Sequence, residues 1–171
     1  MFGVRTQPKQ SLRLLYQDEA LSLGQAGPVL VSIWDDVIRS EHLGELRAGC
    51  RAARGAARGG LGVLAIVRAT HTKAINEDTL RAALALHHES QSSISGEALV
   101  FETGGMASII LKLTLREVYT STQRAHPYAF FDERRGAIDW LAKRCGGRPE
   151  PLLAASSRLS TLANQRHRAG L

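Results

Sequence analysis

Hydrophobic and polar positions along this chain change their period several times. The run Leu61-Gly62-Val63-Leu64-Ala65-Ile66-Val67 is apolar at consecutive positions and follows Gly59-Gly60. A strand buried on both faces reads this way. Pro28 to Trp34 and Ala98 to Phe101 follow the same logic, the latter ahead of Gly104-Gly105. Tyr128 to Phe131, after Pro127, is expected as an edge strand. Leu12 to Tyr16 is expected as a first strand, lengthened by Leu21 to Leu23.

Between these runs the period shifts to that of a helix. Leu43, Leu46, Cys50, Ala53 and Ala57 recur at spacings of three and four, which draws one buried stripe. Ser40 is the expected N-cap and Gly59 the expected end. Asn76 caps a second helix, with Glu77 and Asp78 in its first turn and Ala83, Leu84 and Leu86 as its apolar side. A third begins after Gly105. A fourth is capped by Asp132, packs through Ala137, Ile138 and Leu141, and ends in Lys143-Arg144 before a left-handed Gly146. The pattern predicts an α/β fold: a mixed sheet of about five strands with about four main helices, in the order β-β-α-β-α-β-α-β-α.

A length of 171 residues suits a single core. The expected organisation is an N-terminal tail over 1–11, one α/β domain over 12–146 and a C-terminal tail over 147–171. That last segment opens Arg148-Pro149-Glu150-Pro151, and Leu152 to Ala163 can form a short helix docking through Leu152, Leu159 and Leu162. No run of eighteen apolar residues is present to cross a bilayer, and no long apolar stretch follows Met1 to Gln10 as a secretory signal would require. A cytoplasmic protein with no membrane partner is expected. Cys50 and Cys145 are far apart without CxxC spacing, so ordinary thiols are expected in place of a disulfide framework or zinc knuckle.

The order of elements, the length and the closing phrase Phe131-Asp132-Glu133-Arg134-Arg135-Gly136-Ala137-Ile138-Asp139-Trp140-Leu141 together resemble the STAS/SpoIIAA-like superfamily, the fold of anti-sigma factor antagonists. The resemblance covers about residues 12–146 and implies a non-enzymatic regulatory or protein-interaction module. In its phosphorylated members a Ser or Thr follows an Asp-Ser-Ser-Gly-like segment after the third strand. Here that position reads Arg68-Ala69-Thr70-His71-Thr72-Lys73, without the aspartate and glycine. Thr70 and Thr72 are the hydroxyls in about that place and so are the phosphorylation candidates, beside the plainer reading of an ordinary turn.

The net charge of +6, from 22 Lys and Arg against 16 Asp and Glu, permits attraction to polyanions. Arg47, Arg51, Arg54 and Arg58 fall on one face of the first helix and are the candidate anion contact. No aromatic residue interleaves them, so the row reads first as a solvated flank, and nucleic-acid binding through it is a weak alternative. In the third helix Ile109, Ile110, Leu111, Leu113 and Leu115 point around more of the circumference than one buried face uses. Either the C-terminal tail covers the excess, or these residues form a surface for another protein or a second copy of the chain.

Gly104-Gly105 lacks the lysine and the full glycine pattern of a phosphate loop. His71, His87 and His88 lack the spacing of a metal set, and no metal or cofactor is expected. Asp35, Asp36 and Glu102 end strands at the rim where α/β ligands bind, near His71. They support the alternative of an enzyme or small-ligand-binding protein, although no nucleophile elbow or Ser-His-Asp set accompanies them.

Overall fold

In a computed structural model, which describes residues 11–55, 57, 59–68, 77–121 and 126–169, the chain begins with strands β1 (Arg13–Gln17), β2 (Leu21–Ala26) and β3 (Val29–Trp34). Helix α1 (Ser40–Arg54), strand β4 (Leu61–Val67), helix α2 (Glu77–Ser90) and strand β5 (Ile94–Phe101) follow. Helix α3 (Met106–Ser121), strand β6 (Tyr128–Phe131) and helices α4 (Arg134–Cys145) and α5 (Pro149–Ala169) complete it. The strands form one sheet in sequence order, antiparallel from β1 to β3 and parallel from β3 to β6.

Each parallel strand is added on the same side of the last. Crossovers of one hand then put α1, α2 and α3 on one face of the sheet. That face carries Leu21, Trp34, Ala65, Val67, Leu99 and Phe101, packed with Leu43 of α1, Leu86 of α2, and Leu111 and Tyr119 of α3. The alternate residues, Val31, Ile33, Leu64, Ile66, Ala98 and Val100, face the other way. With no crossover helix to cover them, they are closed off by α4 and α5. α4 lies close to the sheet because Gly62 and Gly96, register partners on β4 and β5, leave room for it. A Cβ on Gly62 would stand 2.5 Å from Cys145 Sγ, and one on Gly96 would stand 2.9 Å from Arg144 Cδ.

The fold class and the mixed sheet are as expected, with six strands where about five were predicted. The difference lies at residues 18–20, where Asp18 accepts hydrogen bonds from the Ala20 and Leu21 N–H groups at 2.9 and 2.7 Å. The turn separates β1 from β2, so Leu21 to Leu23 opens a new antiparallel strand and does not lengthen the first. α1 is capped by Arg39, not Ser40, and ends at Arg54, short of Gly59. His42 Nδ1 accepts the Arg39 N–H at 3.1 Å, the reciprocal half of a capping box. Asp132 does not cap α4. Glu133 occupies the N-cap, and Asp132 pairs instead with Lys112 Nζ at 2.5 Å. Gly146 ends α4 in the left-handed conformation, φ +67°, as its position predicts.

Over 147–171 the expected docking helix is longer than Leu152 to Ala163: α5 runs through 21 residues and buries Leu152, Ala155 and Leu159 against β2, β3 and α4, while Leu162 is half-buried. The described face of β2 and β3 would otherwise meet water. Of the N-terminal tail expected over 1–11, residues 1–10 lie outside the described residues.

Candidate functional site

Ser32 on β3 and Ala65 on β4 are register partners, and Ala65 stands in turn beside Leu99 of β5. All three face α1, α2 and α3. Two small side chains side by side lower the floor of this layer, and the helices above do not collapse into the space. The result is an apolar cavity of about 140 Å³. Its floor is Ser32, Val63, Ala65 and Leu99, its walls include Leu46 and Cys50 of α1 and Ala83 and Leu86 of α2, and α3 contributes Leu115, Val118 and Tyr119.

The polar chemistry of this cavity is concentrated on β5. Glu97 is on the inward face of an interior strand, with its side chain only 12% exposed. The Tyr119 hydroxyl donates to Glu97 Oε1, and His126 Nε2 lies 3.2 Å from Oε2. The His126 side chain is 1% exposed. Elsewhere in the cavity, Trp34 Nε1–H donates to Ser32 Oγ at 3.0 Å. Burial pushes the Cys50 thiol up to about 11, the Glu97 charge pushes in the same direction, and Arg54 opposes them.

None of Glu97, Tyr119 or His126 was among the residues singled out from sequence. The signal for Glu97 was there: extended back past Ala98, the alternation of β5 places Glu97 on the same face as Leu99 and Phe101. Tyr119 follows from the inner stripe of α3, in which Leu111, Leu115 and Val118 precede it at helical spacing. His126 precedes β6 and reaches Glu97 only through the tertiary fold.

The apolar residues of α3 divide between two faces. Leu111 is buried and Leu115 half-buried, both turned to the sheet. Met106, Ile109, Ile110 and Leu113 are 70%, 53%, 41% and 59% exposed and fall at positions i, i+3, i+4 and i+7. α5 packs across the opposite side of the sheet, with α4. The expectation that the C-terminal segment covers the excess apolar face of α3 is therefore overturned: the β2–β3 surface, with no crossover helix of its own, is what α5 covers.

The rim carboxylates are engaged by arginines. Arg68 Nε and Nη2 clasp Asp35 at 2.6 and 2.7 Å, and Arg68 Nη1 donates to Asn164 of α5 at 3.0 Å. Arg134 holds Glu102 at 2.6 Å. Asp36 is half-buried at the end of β3. In the arginine row, Arg47 ties α1 to Glu89 of α2 at 2.9 Å, while Arg51 and Arg54 are exposed. Arg58, Thr70, His71 and Thr72 lie outside the described residues, as does the His87 side chain; His88 is exposed. Gly105 turns into α3 with φ +92° and open space around it. Among the described residues, no three His, Cys, Asp or Glu side chains come together as a metal-holding set, and no helix is long and apolar enough to cross a membrane.

A polar network lies at the other end of α1. His42 Nε2 is 2.9 Å from Asp18 Oδ2, which also accepts from the Tyr16 hydroxyl at 2.8 Å. Because His42 Nδ1 is an acceptor, Nε2 is the protonated nitrogen and donates to Asp18. Burial works against the Asp18 charge. The hydrogen bonds from Leu21, Tyr16 and Ala20, with the attraction of His42, outweigh it and hold the carboxyl below the ordinary range.

No protein-family model matches the sequence, and comparison with curated proteins yields no match. Among solved structures, an uncharacterised protein of the DUF3478 family from Shewanella loihica PV-4, described as having a SpoIIAA-like fold, superposes with a TM-score of 0.50. The two are 13% identical, and the match covers 81% of this chain and 99% of that one. Strand order, helix placement and this superposition agree that the chain has a SpoIIAA-like α/β fold.

Proposed function

We propose that this protein is a regulatory binding module that takes a small apolar ligand, about the size of one ring, into the cavity between the sheet and α1 to α3. The observation that carries the proposal is the open floor at Ser32 and Ala65 beneath an apolar space of about 140 Å³. An engineered cavity of about 150 Å³ lined by Leu, Ile and Phe stays dry and binds benzene, so the volume suits one ring. A space of this size in a protein core costs stability, and occupation by a ligand recovers the lost contacts. The experiment is calorimetric titration with toluene. Saturable binding to the native chain that is lost in Ala65→Ile supports the reading; equal binding to both chains, or absence of binding by toluene and by every other ring compound of its size, defeats it.

A second reading has its own observation. The outer stripe of α3, Met106, Ile109, Ile110 and Leu113, has the spacing with which a helix docks on a protein surface. The same helix closes the cavity with its inner stripe, so occupancy inside and docking outside share one element. Replacing Ile109 and Leu113 by Glu tests it. Retention of a native partner, or self-association in sedimentation, is expected to fall while the melting temperature holds. Unchanged association sets this reading aside.

A further inference from the structure

Glu97 ties β5 to α3 through Tyr119 and to the approach to β6 through His126. On an interior strand the inward position between Val63 of β4 and Tyr128 of β6 suits an apolar side chain, which would pack at no electrostatic cost. A buried carboxylate is costly unless partnered, and replacing a buried ionic cluster by well-packed apolar groups is often neutral or stabilising. Two side chains from separate elements, Tyr119 and His126, are placed to hold this carboxylate in position. Glu97 and Tyr119 both line the cavity.

The chemistry of that wall has a sign. An ionised carboxylate accepts hydrogen bonds and has none to give, and the phenolic proton of Tyr119 is directed at Glu97. A ligand group set against them is a donor: a hydroxyl or an amine, not a carboxylate. The rest of the lining is mainly aliphatic and matches a ring. We infer that the cavity selects a ring-sized apolar molecule bearing one hydrogen-bond donor, a phenol-like or amine-like compound, with the donor directed at Glu97. This inference rests on the cavity's being a ligand site and adds the class of ligand.

The test uses toluene, phenol and aniline, three compounds of nearly equal size, with benzoate as an acceptor-bearing control. Each is titrated calorimetrically into the native chain and into Glu97→Gln, and the alkylation rate of Cys50, which lines the same cavity, reports where the compound sits. The expected result is that phenol and aniline bind about tenfold or more tightly than toluene, the worth of one hydrogen bond to a charged group. Benzoate does not compete, bound compound slows Cys50 alkylation, and Glu97→Gln removes most of the donor preference. Binding of phenol and aniline with toluene silent also supports the inference. Equal affinities of the three for the native chain overturn it and leave the cavity reading standing, as does tighter binding of benzoate. Failure of all four to bind removes the cavity reading, and the inference with it. The series on the native chain decides the matter even if Glu97→Gln folds poorly.

Discussion

Ser32 and Ala65 stand in register on adjacent parallel strands, and their two short side chains leave open the floor on which the candidate site is built. Neither residue has unusual chemistry. Their effect comes from being neighbours, under helices whose positions are set by the rest of the sheet.

Filling the floor gives the first prediction. Ala65→Ile places a β-branched side chain suited to a strand into empty space. It is expected to raise stability by about 1 kcal/mol, the usual return of cavity filling, measured by urea denaturation. A loss of more than about 1 kcal/mol would mean an overpacked layer with no room at this point.

The Asp18 network ties the turn between β1 and β2 to the N-terminus of α1. Its folded-state pKa lies below the ordinary value, so the stabilisation is present above the unfolded pKa and is lost as pH falls through the folded one. Asp18→Ala is expected to cost about 1–3 kcal/mol at neutral pH, the range for losing hydrogen bonds to a charged group. The difference between the two chains should narrow once acid protonates Asp18. A gap that stays constant from neutral to acid pH in paired denaturation curves would contradict this account.

Leu159 tests how far α5 belongs to the core. It is fully buried, and Leu159 Cδ1 lies 3.5 Å from where a Cβ on Gly24 would stand. Leu159→Ala is expected to cost about 2–5 kcal/mol, as for other fully buried leucines. A change under about 0.5 kcal/mol in the unfolding midpoint is the cost of a surface site and would return α5 to the status of a tail.

The two cysteines differ in what holds their protons. Burial raises both, but Cys50 is pushed up to about 11 with Glu97 adding to the effect, whereas for Cys145 the Ser95 hydroxyl and Arg144 oppose burial. Alkylation is carried out by the thiolate, so Cys145 should react first with iodoacetamide at mildly alkaline pH. Peptide mass mapping over time checks the order, and earlier labelling of Cys50 would speak against a closed cavity wall beside a charged Glu97.

Strong local patterns were legible in the sequence. The all-apolar run of β4 and the edge strand β6 could be placed within the chain, as could the glycine stop of α4. The turn at Asp18 was not, because its backbone N–H groups donate to a carboxylate whose geometry no period reveals. For α5 the docking positions Leu152 and Leu159 were legible but its full length was not, because the bare β2–β3 face it covers exists only in the assembled sheet. For α3, apolar residues on both sides left the phase of the helix open. The fold turns Leu111 and Leu115 inward and Ile109, Ile110 and Leu113 outward. The candidate site was the least legible part, since β5, α3 and the approach to β6 meet at Glu97 only in three dimensions.

The most direct test of the central claim is a methyl NMR titration of the native chain with dissolved xenon, which probes an apolar interior without any head-group chemistry. The account predicts saturable shifts concentrated at the methyls of Val63, Leu99, Leu115 and Val118. Weak, unsaturating shifts scattered over exposed methyls such as those of Ile109 and Leu113, with the cavity methyls unmoved, would contradict it.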